Sequence, residues 1–301
     1  MTLTATSQND RSRETGRAAL WMIGAVASFS LMAVSGREAG RTFSMPTAEL
    51  LTWRSVIGIA VVLAVMAATG RLGDMRTARL GLHALRNVGH FFGQYCWYYA
   101  VTIIPLAQLF ALEFTAPIWV ALFAPLLLGE RFSWLRLGAI GVSFVGVLLV
   151  VKVWSEGFAA GFSSGQIWGL MAALGFASQM VVTKRLTATD STLCVVFWMV
   201  VMQAPMGVLV AGGLPAWPPG AMAWFWTILL SLGGLSAHFC LTQAFRHADA
   251  TVVTPMDFAR LPVIAVVGAL AYSEPLVWNV LAGGALIFLG NYINVRFVRQ
   301  P

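Results

Sequence analysis

One long stretch of this chain is written twice. Residues 105–150 read PLAQLFALEFTAPIWVALFAPLLLGERFSWLRLGAIGVSFVGVLLV, two apolar runs around a charged turn at Gly129 to Arg131. From Ala250 the pattern returns as ATVVTPMDFARLPVIAVVGALAYSEPLVWNVLAGGALIFLGNYI. Laid together, Glu113 meets Asp257, Phe114 meets Phe258, Glu130 meets Glu274, Trp134 meets Trp278, Phe144 meets Phe288 and Gly146 meets Gly290. Every pair is 144 residues apart, as 274 is from 130. The same spacing joins Gly89 to Gly233, Cys96 to Cys240 and Ala100 to Ala244; three more residues join Trp21 to Trp168, Phe29 to Phe176 and Arg37 to Lys184. Self-similarity at a fixed offset marks two copies of one structural unit. The copies cover residues 18–152 and 165–297, behind a polar tail at residues 1–17.

Each copy is too apolar for water. The 301 residues are 58% hydrophobic and only 10% charged, whereas about a quarter of a soluble domain is charged. A transmembrane helix needs about 20 mainly apolar residues. Ten segments qualify, at 18–36, 47–69, 83–103, 105–128, 133–152, 165–186, 191–212, 221–245, 250–272 and 276–297. The connections reach about a dozen residues at most, which leaves no room for a soluble domain. The apolar run from Ala18 leads into more of the same, so no cleavable signal peptide is expected. The expected fold is an all-α membrane protein, with ten transmembrane helices in two five-helix repeats. Cys96, Cys194 and Cys240 lie in apolar segments at no metal spacing and read as small packing residues.

Charge placement sets the expected orientation. Of the 19 Lys and Arg residues, thirteen fall at one set of helix ends, and Arg37, Arg41 and Lys152 at the other. Arg54, Arg86 and Arg260 fall within helices. Both termini are therefore expected in the cytoplasm, with the protein in the plasma (inner) membrane. A net charge of +7 gathered in turns fits a membrane topology rather than nucleic-acid binding. Five helices per copy is odd, so the second copy enters the membrane inverted relative to the first. Inverted repeats are common in secondary transporters.

The helix pair LEFTAPIWVALFAPLLLGERFSWLRLGAIGVSFVGVLLV and the duplicated five-helix unit resemble the drug/metabolite transporter superfamily, in particular its EamA-type ten-helix permeases. The resemblance covers about Ala18 to Val298. It implies a substrate cavity between the halves and alternating access, without naming a substrate. The second copy departs from the pattern, with Ser273–Pro275 (SEP) where the first has GER.

Ionisable groups inside a bilayer are costly and usually line a cavity or pair. Glu113 lies about 12 Å into its helix at 1.5 Å per residue, and Asp257 lies at similar depth from the opposite side. Each reads as a proton or cation site, or as a buried structural acid. Arg260, three residues beyond Asp257, offers a local ion pair. Arg54 could meet a substrate carboxylate, pair with Glu113 or snorkel to headgroups. Arg86 reads as an interface anchor. Pro117 and Pro262 each remove a helical amide close to the acids. In the third helix His90, Gln94 and Trp97 share one face, and Phe91, Tyr95 and Tyr98 the next. His238 takes the place of Gln94 in the second copy. Arg54, His90, Gln94, Tyr98, Glu113, His238 and Asp257 are the expected substrate-binding residues. Trp97 and Tyr99 read as aromatic-belt residues, and Gly89 with Gly93 as a close-packing GxxxG.

Ser236 and His238 point about 200° apart on a helix and make no nucleophile–base pair. Neither HExxH nor GxxxxGK[ST] occurs. The expected function is a non-enzymatic permease for a small organic metabolite, such as an amino acid or related solute. No cofactor or metal is expected. The expected partners are the substrate and the lipid bilayer, with a homodimer left open. The alternatives are an intramembrane enzyme acting on a lipid-linked substrate, and a passive channel.

Overall fold

The computed structural model describes residues 3–116, 118–119, 134–152, 162–186, 189–247 and 256–297. Among these, ten α-helices follow one another with no strand. They are α1 (Leu3–Arg37), α2 (Thr47–Ala68), α3 (Leu80–Ile103), α4 (Leu106–Glu113) and α5 (Trp134–Val151), then α6 (Ser164–Leu186), α7 (Thr192–Ala211), α8 (Gly220–His247), α9 (Arg260–Tyr272) and α10 (Trp278–Phe297). A short π-helix (Glu38–Thr42) extends α1, whose backbone is already helical through the polar residues before Ala18. The charged turn at Gly129 to Arg131, with Glu130, lies outside the described residues.

Apolar side chains fill the core and also cover much of the exterior. On α3, the polar side chains of His83, Arg86, Asn87, His90 and Gln94 are buried, while Leu85, Val88 and Phe92 face outward. Leu20 and Leu270 are 70% and 83% exposed. So large an apolar exterior is untenable in water and suits hydrocarbon, where buried backbone and polar groups must find partners inside. Five described helical segments are long and apolar enough to cross a membrane: Arg13–Thr42, Thr47–Ala68, Ser164–Thr183, Thr192–Ala211 and Gly220–Leu241. Helix α3 has the length but spends it on inward polar side chains. The chain is an integral membrane protein.

The helices pair by a rule that follows from the repeat. The second helix of each copy packs on its counterpart (α2 on α7), as does the fourth (α4 on α9) and the fifth (α5 on α10). The first and third helices cross over, α1 packing on α8 and α3 on α6. A swap of the two copies maps this set of contacts onto itself, as in an isologous interface. Small residues permit the close crossings. A Cβ on Gly146 of α5 would stand 2.5 Å from the carbonyl oxygen of Gly283 on α10, and one on Gly283 would stand 2.5 Å from that of Gly146. On the α3–α6 crossing, a Cβ on Gly175 would stand 2.6 Å from the Cα of Gly93, which is the role the GxxxG spacing suggests. Cys96, Cys194 and Cys240 are buried and free.

Two segments expected as continuous helices are interrupted. Helix α4 stops at Glu113 and turns at Phe114–Thr115; the segment holding Asp257 turns at Phe258–Ala259 before α9 begins. The two turns are repeat mates. At each, i→i+3 bonds replace the helical ladder: Thr115 N–H to Leu112 O at 3.1 Å, and Leu261 N–H to Phe258 O at 3.0 Å. The second break has a covalent cause. Pro262 has no N–H to offer Phe258, so that carbonyl takes Leu261 instead. Pro117, one residue out of strict register with Pro262, lies outside the described residues. Asn291 of α10, buried, donates to the carbonyl of Phe114 at 2.8 Å, which satisfies the first break from across the bundle.

Candidate functional site

The two breaks meet at the centre of the fold. Phe114 and Phe258 stack with ring centroids 4.2 Å apart and planes 18° from parallel. One Arg260 holds both repeat-paired acids: Nη2 donates to Asp257 Oδ2 at 2.7 Å and Nη1 to Glu113 Oε1 at 3.3 Å. The other Glu113 oxygen accepts from Trp97 Nε1 at 2.9 Å. The guanidinium lies over the rings of Phe29, Phe114 and Phe110, at 4.4, 4.9 and 5.6 Å, where cation–π attraction adds to the ion pairs. This triad sets two acids against one guanidinium. Arg260 has no mate: Ala116 takes its place in the first copy.

Beside the triad, α3 and α8 bring their polar faces together. The rings of His90 and His238 are 5.7 Å apart, edge to face, and Phe29 meets His238 at 5.6 Å. Gln203 Nε2 lies 3.0 Å from His90 Nδ1. Gln94 and Tyr98 continue the face of α3 from His90 at helical spacing; Gln94 Oε1 and the Tyr98 hydroxyl are buried with no hydrogen-bond partner among the described residues. Arg54 reaches from α2 to α8, where a Cβ on Gly234 would stand 3.0 Å from its Nη2. Gly234 is one turn before His238 on the same face of α8.

All seven expected residues therefore gather around one region, between α2, α3, α4, α8 and α9. Several of their expected partners do not hold. Arg54 does not pair with Glu113, because Arg260 and Trp97 already occupy that carboxylate. Trp97 is no belt residue: it is 2% exposed and donates inward. Arg86 is no interface anchor. It is 5% exposed, bonding Asn87 Oδ1 at 3.1 Å and the Thr183 hydroxyl at 3.3 Å. The Asp257–Arg260 pair and the separation of Ser236 from His238 stand as expected; Ser236 bonds Ser28 instead, at 3.0 Å.

A second polar knot closes one end of the bundle, and sequence reasoning assigns it no role. Arg37, 1% exposed at the end of α1, donates from Nε to Val101 O at 2.7 Å, to the carbonyl of Ile104, and to Glu274 as an ion pair. The second Glu274 oxygen accepts from Leu106 N–H at 2.9 Å, capping α4. At the opposite end, Asp190 ties two loops through His83 Nε2 and the Thr77 hydroxyl, both at 2.7 Å. His83, Asp190 and Cys194 form a group of metal-ligand type. The histidine and carboxylate are already hydrogen-bonded to each other, which accounts for them as a structural tie.

Comparison with known proteins agrees with this architecture. The EamA-like transporter family matches residues 16–152 and again 163–296. The chain is 28% identical over 271 residues to the riboflavin transporter of Brucella anthropi, covering 88% of this chain and 94% of that one. It is 29% identical over 266 residues to the pseudopaline exporter of Pseudomonas aeruginosa, covering 86% and 89%. A solved crystal structure 19% identical in sequence superposes with a TM-score of 0.61 over 92% of this chain and 95% of the other, a likeness of fold alone.

Proposed function

This chain belongs to the EamA-like transporter family and is not an enzyme, and from that premise we propose a secondary transporter with ten membrane-spanning helices, working by alternating access. Its two five-helix repeats, residues 18–152 and 165–297, lie inverted in the membrane, and a small organic solute crosses between them. The observation that carries this reading is the paired interruption of α4 and α9. Broken helices at repeat-equivalent positions are what inverted-repeat transporters use at their binding sites. Arg54, His90, Gln94, Tyr98, Glu113, His238 and Asp257 line the site. The proteins named for riboflavin and pseudopaline transport favour a ring-bearing or larger polar solute over a simple amino acid. The aromatic and amide groups of the chamber suit such a molecule.

A reporter fused after Arg299 is expected in the cytoplasm, and one placed between Lys152 and Gly165 outside. Both reporters on one side would remove the inverted repeat. In proteoliposomes, uptake of the transported solute should saturate, which a passive channel would not show. Residues touching one bound solute should couple by about 0.5–3 kcal/mol in a double-mutant cycle. Gln94→Ala and His238→Ala are each expected to weaken binding, with a combined effect that differs from their sum. Parental uptake in both variants would assign these residues to packing.

A further inference from the structure

Arg54 is buried seven residues into α2, with 3% of its surface exposed. Among the described residues no carboxylate lies within ion-pair distance of it, and its Nε has no hydrogen-bond partner. Neither central acid reaches it, and both pair with Arg260 instead. A cation left uncompensated inside a membrane protein costs several kcal/mol. Buried polar groups in stable structures almost always have partners. Here three orphans lie close by: Arg54 Nε, Gln94 Oε1 and the Tyr98 hydroxyl. Arg54 is within electrostatic reach of Tyr98, His90 and His238, and the two imidazole rings are 5.7 Å apart, so these groups form one cluster. The second uncompensated guanidinium, Arg86, has only neutral partners and also acts on His90. The Arg54 side of this cluster thus holds two guanidiniums without an acid, while the two central acids lie on the Arg260 side.

We propose that the solute supplies the missing charge: the transported molecule is an organic anion whose carboxylate or phosphate is seated by Arg54. This rests on the transporter reading above and narrows its substrate. A guanidinium offers its planar fork to a carboxylate or phosphate in two parallel hydrogen bonds. Gln94 and Tyr98, one turn apart on α3, meet polar groups of the same solute, and the paired imidazoles of His90 and His238 face its ring. Gly234 lets the guanidinium pack directly against the backbone of α8.

The test uses solute pairs that differ only in the acidic group: riboflavin 5′-phosphate against riboflavin, nicotinate against nicotinamide, and benzoate against benzamide. Binding is read by thermal shift of the purified full-length protein and by saturable uptake into proteoliposomes. The acid of at least one pair is expected to bind about tenfold or more tightly than its neutral mate. Arg54→Gln is expected to bring that ratio close to one, and Arg54→Lys to keep part of it, since the charge remains but the fork is lost. Neutral members bound or carried as well as the acids would overturn the anion assignment and leave the transporter standing. A preference for acids that survives Arg54→Gln would also overturn it. Because the parent protein alone shows or lacks the preference, a variant that fails to fold does not spare the proposal. Uptake of no member of any pair, and of no wider panel of metabolites, would remove the transporter reading and the inference together.

Discussion

Arg260→Gln is expected to destabilise the protein by about 3–5 kcal/mol, the usual cost of removing one partner from a buried ion pair, and to abolish transport. The guanidinium is the shared counter-charge of Asp257 at 2.7 Å and Glu113 at 3.3 Å. Without it two carboxylates face each other across the helix breaks, in a region where Asp257 Oδ1 already lacks a partner among the described residues. The stacked Phe114 and Phe258 also lose the cation that lies over Phe114. Adding Asp257→Asn to the same variant removes one of the stranded charges and should restore part of the stability. Thermal unfolding in detergent and flux in proteoliposomes measure both effects. An Arg260→Gln protein as stable as the parent would show that the acids do not depend on this residue, and the triad would lose its place in the site.

The second large effect is expected at the knot formed by Arg37 and Glu274. Arg37→Gln strands the carbonyls of Val101 and Ile104 together with the Glu274 carboxylate, and should also cost about 3–5 kcal/mol. Glu274→Gln is the gentler probe, since the amide oxygen can still accept from Leu106 N–H while the ion pair is gone. The knot holds the ends of α1, α3 and α4 to the loop before α10, so loosening it should open that end of the bundle. Leu106 is fully buried beside the knot. A cysteine at Leu106 should react with a membrane-impermeant maleimide about tenfold faster when Glu274→Gln is present. The native cysteines are buried and provide the background to subtract. Equal labelling rates would show that the ion pair does not hold this end shut.

The backbone plan is legible in the sequence because the repeat and the apolar period both act over whole helices. A single offset joins Phe114 to Phe258 along the chain, and in the fold the two rings are in contact. The breaks beside them are half legible. Proline and acid together signal a weak helix, but nothing local tells a kink from a full turn. The Asp257–Arg260 pair is readable because three residues on a helix are neighbours. Its extension to Glu113 is not, since 147 residues separate Glu113 from Arg260. The same blindness hides the knot: Arg37 and Glu274 are 237 residues apart. The signal available is the start of α4 after Pro105, whose free amides call for an acceptor that no neighbouring residue supplies. Trp97 escapes a sequence reading because an aromatic near a helix end looks the same whether its N–H meets headgroups or a buried acid.

The stacked phenylalanines sit where the two copies are related to each other, and this has a kinetic meaning. If the halves trade conformations during a cycle, an element on their common axis maps onto its own mate and remains in contact. Phe114 and Phe258 are then the fulcrum, while contacts away from the axis, such as Arg37 with Glu274, break and re-form elsewhere as the arms swing. Arg260 spoils the balance of this lever. The trade would carry its position onto Ala116, which bears no charge, so the two end states cannot be mirror equivalents. One orientation always has the loaded arm. On the alternating-access reading proposed above, a transporter weighted in this way is expected to rest preferentially open to one side.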